Sequence, residues 1–555
     1  MRVPASNGAT SVQAIAGTNV VLFGIDVADD AVAGLAGFGI EVDDGSGHGF
    51  QPLRNLLLFE ANDVGEHPDH SSLLNPFQAF VWGHYTVDPD HDYRYRVTSL
   101  RGTAGALQAG DVVELAVRTE SGTSGGHAIF FNRGPSAAQA YAIKFDNQNP
   151  RDVGAPAWTW LSRGLEEGLL DFIGQATGPT FALRGSIYEF QYEPVLQALK
   201  AASGAGADVN IIYDCIPNSA GEPVDKNHAA ADSVGIRQTL MIERTKGVRI
   251  SHNKYLVLLE NGEPKAVWTG STNVTEGGIF GHLNVGHAVR DPQVAASYLE
   301  HWTALSTDPD GPTIKDANDQ NLPSFDGKPP AGVTTLFSPH HDLAVLNWYA
   351  KLMDGAENSV FLTAAFGVSK ELRAIFEEHK TYLRYLLLEK EDGTIDTLSR
   401  DPDNVVAAGS FIGDGGWRQW QKEMLALIGL TEHVHFVHTK IMLIDPLGDD
   451  PIVITGSANF SDASTDANDE NMLVIRGDKS VADVYLGEFM RTFTAYHFRG
   501  KVGVTGGAMA PNPSAPAPDP PAKLYLDATD GWTKPYYTDG DPKQKERLLF
   551  RAPPS

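Results

Sequence analysis

The 555-residue chain has one cysteine, Cys215, which excludes an internal disulfide framework and a multi-cysteine metal site. Cys215 follows the apolar Ile211–Tyr213, the setting of a buried, inert thiol. No apolar run approaches the roughly eighteen residues of a membrane span. The opening residues, MRVPASNGATSVQ, hold one arginine and no apolar h-region, so no signal peptide is read and a cytoplasmic location is expected. Basic residues are scarce beside acidic ones: 43 Lys and Arg against 70 Asp and Glu leave a formal charge of −27. Such a surface as a whole repels nucleic acid and anionic membranes, although local basic grooves are compatible with it.

The bulk composition is ordinary. With 42% apolar and 20% charged residues it suits a soluble globular protein, and 555 residues are too many for one core, so two to four domains are expected.

The informative stretch is His438–Asn459, HTKIMLIDPLGDDPIVITGSAN. His438 and Lys440 are two apart, so on a strand they share a face. The apolar run Ile441–Ile444 leads to Asp445, and Ile452–Ile454 leads to Gly456, Ser457 and Asn459. A second copy stands upstream: His252, Lys254, Tyr255–Leu259, Val267–Thr269, then Gly270, Ser271 and Asn273. In both copies lysine to serine is 17 residues and histidine to asparagine 21. Three matched spacings over four residue types point to one site built twice.

The double motif resembles the phospholipase D superfamily, with its two HxKx4D…GSxN signatures. The second copy fits throughout; the first has Leu259 at the aspartate position, which in the family is mainly structural. The likeness is specific for residues 250–284 and 435–471 and plausible for 157–500. It implies catalytic roles for His252, His438, Lys254, Lys440, Asn273, Asn459, Ser271 and Ser457, with Asp445 and Glu470 in support. It implies a pseudo-two-fold site, a phosphohistidine intermediate and no metal or other cofactor. The family also follows each motif with an acidic residue that orients its histidine. Glu470, eleven residues after Asn459, is assigned to His438. Asn284, eleven after Asn273, is neutral, with Glu276 as a nearby substitute for His252. A carboxylate partner stabilises the imidazolium, so His438 is read as the acid and His252 as the nucleophile. The family's usual use of its first histidine as nucleophile agrees.

The chemistry needs these residue types. A phosphodiester repels anionic nucleophiles and has a poor alkoxide leaving group; a neutral imidazole attacks, and a protonated one supplies the proton. Lysines balance the phosphoryl charge, while asparagine amides and serine hydroxyls are expected to hydrogen-bond around phosphorus.

Residues 1–150 read as an all-β, sandwich-like module with strands at 18–27, 38–43, 93–97, 111–119 and 127–131. Its loops EHPDH (66–70) and DPDHD (88–92) fit either a metal or solvated turns. An α/β catalytic body follows as two duplicated halves, 151–310 and 331–500, joined by a connector at 311–330. Each half repeats helix, strand, helix, strand before its motif. Residues 501–522 form a Pro/Ala/Gly linker, and 523–555 a tail with Trp532, Tyr536 and Tyr537 that either docks back or hangs free. Arg244, Lys246 and Arg249 suit substrate steering or a solvated turn, and GDGG (413–416) with Trp417 and Trp420 an entrance or a helix-leading turn. The expected partner is a phospholipid or other phosphodiester, with a nuclease or nucleotide phosphodiesterase as the alternative and a non-catalytic binding protein as the least favoured. A monomer is expected.

Overall fold

The computed structural model describes all residues except 66–67, 124, 135–137, 147, 218–220, 321, 366, 390–394, 409–436, 506–524 and 554–555. Two four-stranded antiparallel sheets form first. One runs β1 (Arg2–Asn7), β2 (Thr10–Ala16), β3 (Val21–Val27) and then β6 (Val81–His84). The other has the order β5 (Gln51–Pro52), β4 (Leu35–Asp43), β7 (Asp92–Arg101) and β8 (Gln108–Arg118). Strand β7 shows why: Tyr93, Tyr95 and Val97 are buried while Arg94 stays outside, the period-2 alternation of a strand with one wet face. The inward residues of both sheets, among them Val12, Phe23, Ile40, Tyr95 and Val113, share one core.

The catalytic body holds two seven-stranded mixed sheets. In the first, the order is β12 (Met241–Arg244), β11 (Asp208–Asp214), β10 (Phe181–Ile187), β13 (Lys254–Glu260), β14 (Glu263–Gly270), β15 (Val285–Val289) and β9 (His127–Phe131). In the second it is β19 (Asn404–Ala408), β18 (Leu383–Leu388), β17 (Ser359–Ala364), β20 (Ile441–Ile444), β21 (Ile452–Gly456), β22 (Glu470–Arg476) and β16 (Gly332–Ser338). The two orders correspond strand for strand, and the duplication extends to direction. The first two pairings of each sheet are parallel and the remaining four antiparallel. The motif strands β13 and β20 sit at the centre and are buried on both faces, which is why they read as unbroken apolar runs.

This topology corrects one boundary. His127–Phe131 was assigned to the N-terminal module, but as β9 it pairs with β15 and closes the first catalytic sheet, the place that β16 takes in the second. A short strand carries no mark of which sheet it will join.

Helices α1 (Leu165–Gly174), α2 (Glu193–Gly204) and α3 (Pro292–Leu305) serve the first half. Helices α4 (Ala344–Asp354), α5 (Lys370–Glu377) and α6 (Lys479–Thr505) serve the second. Asp291 caps α3 by accepting from the N–H groups of Gln293 and Val294, with Pro292 at the first helical position. Between the two sheets, Tyr255, Val257 and Val285 of one meet Leu443, Val453 and Leu473 of the other, with Tyr298 of α3 and Phe489 of α6 in the same core. The halves are therefore joined by buried apolar surface rather than by a hinge. The connector is partly helical, since Gly311–Asp319 forms a helix capped by Asp310.

The tail docks. Trp532 Nε1 donates to Leu35 O at 3.0 Å, Tyr537 O–H donates to Val27 O at 2.7 Å, and Arg547 pairs with Asp26. A Cβ on Gly24 would lie 1.8 Å from Phe550 O, so this β3 position has to be glycine for helix α7 (Pro542–Phe550) to lie against it. Tyr385 of β18 donates to Glu546 of α7 at 3.0 Å, so the tail bridges the N-terminal sheets and the second half. Arg2 makes a second bridge through Asp483, Pro446 O and Leu447 O. Among the described residues no helix is long and apolar enough to cross a membrane.

Candidate active site

Each motif strand delivers its histidine and lysine at the edge where the two halves meet. Two parallel bridges hold that edge: Ser251 opposite Asp469, and Leu283 opposite Val437. His252 N donates to Asp469 O at 2.9 Å, and His438 N donates to Leu283 O at 3.2 Å. Each histidine thus lies beside the residue that follows the other half's bridge.

That crossing corrects the expected partners. Glu470 Oε2 accepts from Nδ1 of His252 at 2.8 Å, and Asn284 Oδ1 accepts from Nδ1 of His438 at 2.9 Å. Glu470 does not orient His438 as spacing within its own motif suggested, because Glu470, at the start of β22, and Asn284, just before β15, each reach across the two-fold. Glu276 is no substitute; it pairs with Arg151 at 2.9 Å. A carboxylate only accepts, so His252 carries its proton on Nδ1 and keeps Nε2 as the basic atom. Asn284 Nδ2 donates to Gly278 O, which fixes the amide with Oδ1 toward His438 and gives that ring the same tautomer.

The serines act one step behind. Ser271 Oγ donates to Asn284 Oδ1 at 2.8 Å and accepts from Val285 N, while Ser457 Oγ donates to Glu470 Oε2 at 2.7 Å and accepts from Asn471 N. Both are fully buried, so they hold the histidines' partners instead of meeting phosphorus as expected. The preceding glycines follow from packing: a Cβ on Gly270 or Gly456 would come within 2.2 Å of the carbonyl of Val285 or Asn471. Asp445 is structural too, accepting from the backbone N–H groups of Glu357, Asn358 and Ser359 at 2.8, 2.6 and 2.9 Å, and so anchoring the start of β17.

The site is buried and electrostatically strained. Lys254 and Lys440 are 3% and 1% exposed, and each Nζ donates to the carbonyl of its own motif histidine. Burial, against the pull of Glu470, lowers Lys254 to about 8; burial and the neighbouring Lys254 push Lys440 well below the usual lysine range. Burial lowers His252 to about 4 despite Glu470, and burial with Lys440 and His282 nearby puts His438 well below 6.5. Burial raises Glu470, but His252 and Lys254 outweigh it and hold the carboxyl below its ordinary value.

Sequence reasoning missed several neighbours. Tyr188 sets its ring edge-on to His252 with centroids 4.9 Å apart, and Glu189 accepts from Asn273 Nδ2. Both follow the end of β10, beside the motif strand, and the carboxyl ends of parallel strands are where such residues are to be sought. Arg244 is not a steering residue. It is fully buried, donating to Asp469 at 3.0 Å and Asp308 at 2.9 Å, and clamps the first half to the bridge beside His252. In the loops expected either to hold a metal or to be solvated, Asp90 and Asp92 pair with Arg118, His91 bonds Asp44 O and His70 bonds Asn55 O. Glu66 and His67 lie outside the described residues, as do GDGG (413–416), Trp417, Trp420 and most of the 501–522 linker.

A family model described as cardiolipin synthase, phospholipase D-like domain, matches residues 169–305 and 406–493. No curated protein sequence matches the chain. Among solved structures it is similar to a polyphosphate kinase from Porphyromonas gingivalis at 11% identity and TM-score 0.38, covering 55% of this chain and 42% of that one. Nuc from Salmonella typhimurium, a phospholipase D family member, is 27% identical over 25% of this chain and 84% of its own, with TM-score 0.20. Yeast tyrosyl-DNA phosphodiesterase is 13% identical over 57% of this chain and 88% of its own, with TM-score 0.31.

Proposed function

This chain belongs to the phospholipase D superfamily, and from that premise we propose that it cleaves the headgroup phosphodiester of a phospholipid, by hydrolysis or by transfer to an alcohol. The observation that carries the chemistry is the unequal pairing of the two histidines, Glu470 on His252 and Asn284 on His438.

His252 Nε2 attacks phosphorus. The N–P bond makes the ring cationic, and Glu470 beside Nδ1 neutralises that charge for the life of the phosphohistidine. His438 delivers the proton that the departing alkoxide takes up. Its partner Asn284 is neutral and does not hold the proton back, and the ring is uncharged afterwards. It then removes a proton from water or alcohol, whose oxygen displaces His252 and restores both rings. Lys254 and Lys440 balance the phosphoryl oxygens, and the amide of Asn273, aimed by Glu189, adds a donor. This role order keeps the sequence-based one while reversing its premise: the carboxylate serves the nucleophile, not the acid. With lysines and a protonated imidazole as electrophiles, no step requires a metal.

The lipid substrate is supported by the description of the matched family model and by the net charge of −27, which disfavours a polyanion. The test is a panel with excess chelator: phosphatidylcholine and phosphatidylglycerol vesicles with and without ethanol, single- and double-stranded DNA, RNA, and bis-nitrophenyl phosphate. Phosphatidic acid, with phosphatidylethanol when ethanol is present, is expected. Cleavage of nucleic acid without lipid turnover would replace the substrate class, and inertness toward all of them would remove the activity.

A further inference from the structure

At the β12–β11 end of the first sheet, three potential ligands of different chemistry converge. Cys215 Sγ, just past β11, lies 3.4 Å from Nε2 of His228, on the helix Val224–Val234. The same Nε2 lies 3.5 Å from Oε1 of Glu243 on β12, and all three atoms fall within 4.8 Å of one another. We propose that Cys215, His228 and Glu243 form a binding site for a divalent zinc-like cation, with water completing the coordination.

The convergence separates this reading from a relay of hydrogen bonds. In a thiol–imidazole–carboxylate relay the acid holds one ring nitrogen and the thiol faces the other. Here thiol and carboxylate meet at the same nitrogen, so the three atoms surround a point. The spacing suits zinc: Zn–S of about 2.3 Å and Zn–N or Zn–O of about 2.0–2.2 Å give tetrahedral edges of roughly 3.3–3.6 Å. Two edges already have that length, and rotation of the half-exposed Glu243 carboxylate closes the third.

The surroundings form a second shell. Arg237 and Tyr213 O–H both donate to Glu243 Oε1 at 3.2 Å, which positions the carboxylate beside His228. Asn227, next to His228, donates to Tyr188 O at 2.9 Å and accepts from Phe190 N at 2.9 Å. A cation that ties the helix Val224–Val234 to β11 and β12 would therefore brace Tyr188 and Glu189, which border His252 and Asn273. Its role is structural, since it does not touch the phosphoryl site. The other such cluster among the described residues, His379, Asp401 and Asp403, has no sulfur.

Because Cys215 is the chain's sole cysteine, a thiolate-to-metal transition can arise at no other position. The apo protein is titrated with Co²⁺ under reducing conditions. A thiolate–cobalt charge-transfer band in the near ultraviolet should saturate at one equivalent and be bleached by Zn²⁺. Cys215→Ser should lose the band, and His228→Gln should weaken binding at least tenfold, each with an unchanged metal-free circular dichroism spectrum. Zn²⁺ should raise the melting temperature of the wild type but not of Cys215→Ser. Absence of the band in the wild type, or its persistence in Cys215→Ser, overturns the site.

Discussion

Glu470 Oε2 accepts from His252 Nδ1 at 2.8 Å across the boundary between halves, 218 residues away in the chain. Its counterpart, Asn284 to His438, spans 154 residues at 2.9 Å. Neither half can orient its own histidine, so an isolated half is catalytically incomplete however well it folds.

Glu470→Gln keeps the shape but removes the charge that neutralises the phosphorylated ring. Turnover of bis-nitrophenyl phosphate should fall on the order of 10²–10⁴-fold, as when a buried carboxylate behind a histidine is neutralised elsewhere. A loss below threefold would mean that His252 is not the attacking ring.

The order of the histidines is open to direct test. With a nitrophenyl ester the leaving group needs little protonation, so His438→Ala should release one equivalent of nitrophenol and then stall without its second-step base. Intact mass after alkaline quench and peptide mapping should place the adduct on His252, and His252→Ala should show neither burst nor adduct. An adduct on His438 in the His252 variant would reverse the roles.

The pH profile follows from the neutral partner of His438. A proton donor held well below 6.5 by burial is mostly unloaded at neutral pH, so kcat/KM should already be falling with rising pH at neutrality. Asn284→Asp sets a carboxylate against the ring, raises its pKa and should move the descending limb up by about one unit or more. A limb that stays in place would mean that another group supplies the proton.

Lys440 illustrates function set against stability. A lysine whose pKa is lower folded than unfolded destabilises the fold while it is charged in both states. The penalty fades as pH rises from the folded value toward 10.5, a window that for Lys254 starts at about 8. Lys440→Met should therefore melt higher than wild type at pH 7, with the gap narrowing toward pH 10, while turnover falls on the order of a hundredfold or more. A lower melting temperature at pH 7 would show that its attraction to Glu470 and Glu389 outweighs its burial.

Asp445→Ala removes the acceptor of three backbone N–H groups and should cost roughly 2–4 kcal/mol in urea unfolding. The folded fraction should keep near wild-type turnover. A large loss of turnover at full stability would return Asp445 to the chemistry.

The sequence alone determined the duplicated α/β body, its motif strands and the identity of the histidines, lysines and asparagines. Local patterning suffices there: apolar runs buried on both faces read directly as central strands, and two motifs with equal spacings demand two equivalent placements. The first hairpin turns at Gly8–Ala9, between the paired Asn7 and Thr10, with glycine at the positive-φ position, a signal that a search for apolar runs overlooks. Only the tertiary structure decided that β9 belongs to the catalytic sheet, that the serines stand behind the histidines' partners, and that both lysines are buried. Above all it decided that each histidine takes its partner from the opposite half. The physical reason is common to these. Pairing across a pseudo-two-fold is set by the apolar core between the sheets, Tyr255 and Val285 against Leu443 and Leu473, and no spacing within one motif encodes what the other half will bring beside it.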